Sequence, residues 1–174
     1  YMTGIRPYER YLWSPERKDY EDEGVPEDIN CVFCAQIEDD KRVTKMTLFE
    51  DEFLMVELNI FPYNTGHLLV VPKRHVNSLE NLRDEERNRL FAMVQKVEKL
   101  QREVRDPAGI DMGMNIGEAA GESIPHLHVQ MVPIYEKDRG FMETSLGTKV
   151  MKESLEETQE KYLEETDILE DYWR

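Results

Sequence analysis

Between Gly121 and Pro133 the chain alternates polar and apolar positions, with His126, His128 and Gln130 interleaved among Leu127, Val129 and Met131. A period of two predicts a half-buried β-strand. Side chains at i, i+2 and i+4 of a strand share one face. The two histidines and the glutamine therefore line one face, each roughly 6.5–7 Å from the next. The apolar residues would pack the opposite face against a core. The chain holds four histidines, and two of them fall here.

Other stretches carry their own periods. From Asp84 to Arg105, Leu90, Met93, Val94, Val97, Leu100 and Val104 recur at helical spacing, which predicts a long amphipathic helix. Asp84, Glu85 and Glu86 suit its start, and Asp106-Pro107 its stop. Thr47–Glu50, Phe53–Leu58 and His67–Val71 are rich in aliphatic and aromatic residues and read as strands, with Pro72 closing the third. Asn59 to Gly66 is a loop by its Pro, Asn and Gly content. Met112–Ile116 reads as a further strand, leading into a glycine-bearing loop. Gly140 to Gly147 reads as a loop. A second helix is expected from Lys149 onward, with Val150, Leu155, Thr158, Tyr162 and Leu163 on one side. Strands on either side of one long helix predict an α+β fold, the helix packed on an antiparallel sheet.

The 174 residues suggest one domain with appendages, long enough to bury a core without crosslinks. Residues 1–28 form an N-terminal extension, aromatic at Tyr8, Tyr11 and Trp13 and then an acidic linker; a domain spans 29–138, and 139–174 is a C-terminal helical extension. Lys plus Arg total 22 against 37 Asp plus Glu, a net charge of −15. Such a chain repels phosphate backbones, which argues against nucleic acid as the partner. An anionic substrate would need local positive potential from backbone N–H groups, a helix N-terminus or a metal. No apolar run approaches the length of a membrane span, and no signal-peptide pattern follows Tyr1. Two cysteines three residues apart make no disulfide framework. The expectation is a cytoplasmic protein.

Cys31-Val32-Phe33-Cys34 is a C-x-x-C pair with three candidate fates. A redox pair would follow a strand, and Gly24–Asn30 is not one. Two core thiols are the second fate. A zinc site is the third, completed by two of His67, His75, His126 and His128.

The H-x-H-x-Q strand after the G-E-A-A-G-E-S loop resembles the signature of the histidine triad family, in the variant whose third histidine is glutamine. The L-N-I-F-P-Y-N-T-G-H-L-L-V-V-P stretch, the R-Y-L-W-S-P start and the S-L-G-T-K-V segment resemble the branch that contains diadenosine tetraphosphate phosphorylases. The likeness runs over roughly residues 10 to 165, although Pro133-Ile134-Tyr135 stands where many relatives have Pro-Arg and an aromatic. It implies an antiparallel half-barrel with one long helix, and a homodimer. It implies a structural zinc ion on Cys31, Cys34, His75 and His126, and His128 as the nucleophile that forms a nucleotidyl-histidine. Gln130 would donate a hydrogen bond to a phosphoryl oxygen without delivering a proton. Gly121 and Ser123 would cradle phosphates, Ser123 also reaching the leaving group. Asn115, Asn59 and His67 match substrate-contacting positions, although Asn59 and Asn64 are also ordinary turn residues. The implied activity is nucleotidyl transfer from a dinucleoside polyphosphate to inorganic phosphate. Water as acceptor, and a nucleotide-binding protein of low turnover, are the alternatives.

Overall fold

A computed structural model describes residues 25–136, 138, 151 and 153–170. The N-terminal aromatic segment, most of the acidic linker, the Gly140–Gly147 loop and the Lys149-Val150 helix entry lie outside the described residues.

The described chain is α+β. A short helix α1 (Val32–Ile37) precedes strands β1 (Thr47–Glu50), β2 (Leu54–Leu58) and β3 (Leu68–Pro72). The long helix α2 (Asp84–Arg105) follows, then β4 (Gly109–Gly113), β5 (Val129–Ile134), and helices α3 (Leu155–Leu163) and α4 (Asp167–Glu170). The strands form one open sheet in the order β1-β2-β3-β5-β4, every neighbouring pair antiparallel.

The sheet is covered on both faces. Leu54, Val56, Leu58, Leu68, Val70, Val129 and Met131 meet Leu90, Met93, Val97 and Leu100 of α2 in the main core. Met55, Leu69 and Val71, on the opposite face, meet Phe33 and Cys31 beneath α1. Strands buried on both sides explain why β2 and β3 read as near-continuous apolar runs. Glu57 is the exception in β2, and it points to the α1 side with Met55.

Helix α2 begins where the sequence places it. Glu86 accepts a hydrogen bond from the Arg83 amide at 2.8 Å, and Arg74 clamps the same carboxylate at 2.7 and 2.6 Å. That guanidinium holds the Glu86 carboxyl down near 2. Asp106 ends the helix in the left-handed region, at φ 44°. The C-terminal helices dock on the main core through Tyr162 and Leu169, both fully buried. Tyr162 donates to the Gly66 carbonyl at 2.9 Å, and Gln101 donates to the same carbonyl at 3.1 Å and to that of Met131 at 2.8 Å. Gly66 has φ +87°, and a Cβ there would meet the Tyr162 hydroxyl at 2.7 Å. That turn requires glycine.

Three boundaries and the facing of one side chain differ from the sequence expectation. The motif strand starts at Val129, not at Gly121, because the Leu127 amide bonds the Val76 carbonyl at 2.6 Å and the His126 amide the Ile124 carbonyl at 2.8 Å. The side-chain alternation survives this irregular backbone. β4 occupies Gly109–Gly113, earlier than Met112–Ile116, because its ladder with β5 runs from Gly109↔Ile134 to Gly113↔Gln130 and stops where β5 leaves the sheet. α3 starts at Leu155, where the Ser154 side chain accepts from the Glu157 amide at 3.2 Å and the Glu157 carboxylate accepts from the Ser154 amide at 3.0 Å. Leu163 does not join the inner side and is 46% exposed.

Candidate active site and metal centre

The polar face of the motif is not open to water. His126 is fully buried and His128 is 8% exposed. Phe33 of α1 stands between them, its ring 5.6 Å from the His126 ring and 5.2 Å from that of His128. The segment leading into β5 supplies the two histidines and α1 the cover, so one wedge separates two sites with different chemistry.

On one side of Phe33, Cys31, Cys34, His75 and His126 converge, with their ligand atoms within 4.8 Å of one another. Cys31 Sγ lies 3.4 Å from His126 Nδ1, Cys34 Sγ 3.7 Å from the same nitrogen, and Cys34 Sγ 3.2 Å from His75 Nδ1. Tetrahedral zinc with Zn–S about 2.3 Å and Zn–N about 2.0–2.1 Å has S···N edges of roughly 3.5 Å. The donor set therefore fits a metal ion. His126 Nε2 is tied to the Pro72 carbonyl at 2.7 Å, which fixes Nδ1 as the ligand nitrogen in the manner of an outer-shell partner. Burial pulls His126 down to about 4, with His75 and His128 contributing, so the ring is neutral and able to ligate. Burial and the neighbouring Cys31 push the Cys34 thiol up to about 12. A cation between the two sulfurs is what would hold both as thiolates. Neither cysteine is in a disulfide.

On the other side of Phe33 lies a cavity of about 290 Å³. His128 and Gln130 sit on its wall with Ser123, Gly121 and Asn115 from the loop before the motif, and Asn59 from the loop after β2. His128 Nδ1 meets the His126 carbonyl at 2.8 Å, so Nδ1 carries the proton and Nε2 holds the free lone pair. Burial lowers the His128 pKa, against opposing pulls from the His126 carbonyl and Glu122. A neutral, oriented imidazole is what nucleophilic attack requires.

The loop before the motif is built on two positive-φ glycines, Gly117 at +86° and Gly121 at +85°. Asn115 Nδ2 donates to the Gly121 carbonyl at 3.0 Å, and Glu122 accepts from the Gly117 amide at 3.2 Å. This folds the loop over the mouth of the cavity and leaves Ser123 exposed there.

The remaining residues divide. Asn59 does form a turn, accepting from the Phe61 amide at 2.9 Å, and it also lines the cavity. Asn64 is purely structural, bonded to Pro133 and Asp138. His67 is fully buried and lies behind the cavity wall, not in it. Its Nδ1 meets Asn59 Nδ2 at 3.3 Å and accepts from the Tyr63 amide at 3.2 Å, and its ring stacks on Tyr63. Burial, with His128, holds it down near 3. His67 thus fixes the loop that carries Asn59.

Among the wall residues that the sequence reading gave no role are Gln36 and Glu57. A lone glutamate inside the apolar run L-M-V-E-L was the available signal. Glu57 is 3% exposed, and burial pushes its carboxyl up to about 8.

Comparison with known proteins agrees with this geometry. The HIT domain family matches residues 40–137. The AP-4-A phosphorylase of Mycobacterium tuberculosis is 34% identical over 166 residues, covering 90% of this chain and 84% of its own. The asymmetrical bis(5'-nucleosyl)-tetraphosphatase of Schizosaccharomyces pombe is 35% identical over 89 residues, 51% of this chain and 48% of its own. The crystal structure of a Zn-bound histidine triad family protein from Mycobacterium smegmatis superposes with a TM-score of 0.66 at 27% identity, covering 80% of this chain and 94% of that one. An H-x-H-x-Q motif with both histidines buried and a matching sheet, together with these relatives, identify the chain as a member of the HIT domain family.

Proposed function

We propose that the chain is a nucleotidyl transferase that cleaves dinucleoside polyphosphates with inorganic phosphate as acceptor. Family membership makes it a histidine-triad nucleotidyl transferase or hydrolase, and the extended match to the phosphorylase supports the transferase. The observation that carries the chemistry is the 2.8 Å bond from His128 Nδ1 to the His126 carbonyl. It leaves Nε2 to attack an α-phosphorus. The bond to the bridging oxygen breaks, a nucleoside polyphosphate leaves, and the nucleotide remains on His128. Phosphate then attacks the same phosphorus and regenerates the imidazole. From diadenosine tetraphosphate the products are ATP and ADP.

The other residues take consistent roles. Gln130 donates to a phosphoryl oxygen, and Ser123 donates to the departing bridging oxygen. The backbone near Gly121 and the Asn115 amide hold phosphate oxygens. Asn59 contacts the ribose, and His67 positions Asn59. A leaving phosphate is already a good leaving group, which is why an amide in place of a third acid suffices.

Zinc is the metal that the Cys31, Cys34, His75 and His126 set suits, through two thiolates and two neutral imidazoles. It would stiffen the strand end that carries His128. Two cysteines outside any disulfide suit a reducing, cytoplasmic setting. The working unit is a homodimer, a reading supported by Met112 at 59% and Ile116 at 43% exposure beside the open edge of β4.

The test is turnover of diadenosine tetraphosphate with and without inorganic phosphate, resolving AMP, ADP and ATP. ADP plus ATP formed only with phosphate is the expected result. AMP plus ATP in both conditions would make water the acceptor and the chain a hydrolase.

A further inference from the structure

The substrate proposed above carries two nucleosides, and the cavity is sized for one. Its volume of about 290 Å³ stands at the lower end of ligand pockets, which run from about 300 to 1,000 Å³. One nucleoside and the phosphorus that meets His128 occupy it. The flexible polyphosphate must carry the second nucleoside out through the mouth.

Among the residues that line the cavity, Tyr63, Gly121 and Ser123 are the exposed ones, and they mark that mouth. Gly121 has no side chain and Ser123 offers a hydroxyl. Tyr63 brings an aromatic ring, and the residue is 42% exposed.

The ring is held in place by its loop. The Phe61 amide donates to Asn59 Oδ1 at 2.9 Å, and the Tyr63 amide to His67 Nδ1 at 3.2 Å. Asn64 Nδ2 donates to the Pro133 carbonyl and to Asp138, both at 2.7 Å. One face of the Tyr63 ring lies on the imidazole of His67, with centroids 5.2 Å and planes 27° apart. His67 is itself fully buried. The exposed part of Tyr63 is then the opposite face and the edge of its ring. A ring already fixed gives up little rotamer freedom when a base stacks on it.

We propose that Tyr63 is the platform for the second nucleoside of a dinucleoside polyphosphate, and so the residue by which this site tells such a substrate from a mononucleotide. The proposal rests on the nucleotide reading given above. Every base has a π-face, so a stack on Tyr63 holds the second nucleoside without reading its edges. Tyr63 does not touch the reacting phosphorus. Its contribution falls on affinity for the dinucleoside and leaves the chemistry at His128 alone.

The experiment is calorimetric titration of the full chain carrying His128→Ala, which removes the proposed nucleophile. The ligands are diadenosine tetraphosphate and adenosine tetraphosphate, the second being the first without its second nucleoside. The titrations are repeated with Tyr63→Phe and with Tyr63→Ala added. The dinucleoside is expected to bind roughly tenfold more tightly than adenosine tetraphosphate, and Tyr63→Phe to keep that ratio. Tyr63→Ala should bring the two ligands within about twofold while leaving the affinity for adenosine tetraphosphate unchanged. The charge difference between the ligands is the same for every variant and cancels. No preference for the dinucleoside in the His128→Ala protein, or a preference that survives Tyr63→Ala, overturns the assignment. Equal weakening of both ligands by Tyr63→Ala also overturns it, because Tyr63 would then act only through His67 and Asn59. Binding of neither ligand overturns it together with the nucleotide reading.

Discussion

Glu57 allows a stability test that is independent of any ligand. Its carboxyl sits at about 8 in the fold, against an ordinary 4.5, because burial penalises the charge more than Lys45 and the Gln36 amide relieve it. The sign follows from proton linkage. Below pH 4.5 both folded and unfolded chains hold the proton and the group costs nothing. Between pH 4.5 and about 8 the unfolded chain releases the proton first, so the unfolded state gains and the fold weakens. The slope is about 1.4 kcal/mol per pH unit, which over this window gives a ceiling of about 5 kcal/mol. Water entering the cavity beside the carboxyl reduces that, and about 2–3 kcal/mol is the working expectation. Glu57→Gln keeps the shape and removes the proton. Urea unfolding of both proteins from pH 5 to pH 9 reads the difference directly, because the buried histidines are common to both and cancel. The stability gap should widen in favour of Glu57→Gln as pH rises toward 8 and then level off. Parallel curves across that range would refute the buried, neutral carboxyl.

Three further outcomes follow from the site and the core. His128→Ala should abolish turnover and the nucleotidyl adduct, trapped with radiolabelled substrate and resolved by denaturing gel, while its melting temperature stays within a few degrees of wild type, the side chain being at the cavity wall. Purified protein should carry one zinc per chain by metal analysis, and chelation or Cys31→Ser should lower the melting temperature markedly; a metal-free protein that melts like the native one would sink the metal centre. Tyr162→Phe should cost about 1 kcal/mol in urea unfolding, since the Gly66 carbonyl keeps its bond from Gln101 at 3.1 Å; a loss of several kcal/mol would mean that Gln101 does not hold that carbonyl.

What the sequence made legible divides by the range of the interactions. Periodicity located α2 almost to the residue, because its inner face is a continuous stripe from Leu90 to Leu100 and its ends carry their own signals. Composition located β1 to β3, as short runs rich in aliphatic and aromatic residues. Periodicity overran the start of the motif strand, where Leu127 is held by Val76 and His126 by Ile124, contacts that no local pattern announces. It failed at Leu163, because the tilt of α3 on the core is set by Tyr162 and Leu169 and not by the helix alone. The C-x-x-C, read by spacing, left its histidine partners open among four. The fold brings exactly two of them, His75 and His126, to the sulfurs. Glu57 was visible only as a charge in an apolar run. Its meaning depends on Gln36, which α1 carries across the sheet from twenty-one positions earlier in the chain.

The two halves of the site share one residue, and through it a metal held by the cysteines would bear on the chemistry proposed for His128. His126 gives its side chain to the Cys31–Cys34 cluster and its carbonyl to His128 Nδ1. The side chain is pinned at both nitrogens, Nδ1 by the cluster and Nε2 by Pro72. The backbone is pinned by the amide bond to Ile124. With ring and backbone both fixed, the carbonyl has little freedom, and the tautomer and direction of His128 follow from it. Phe33, a rigid ring between the two imidazoles, comes from the same short helix that places Cys31 and Cys34. A metal ion here would act on the rate without touching substrate. By holding α1 and the strand end together it would hold the carbonyl that orients His128, the proposed nucleophile, and its aromatic wall in one geometry, and the cost of loosening it would fall on the alignment of His128 before it fell on the fold.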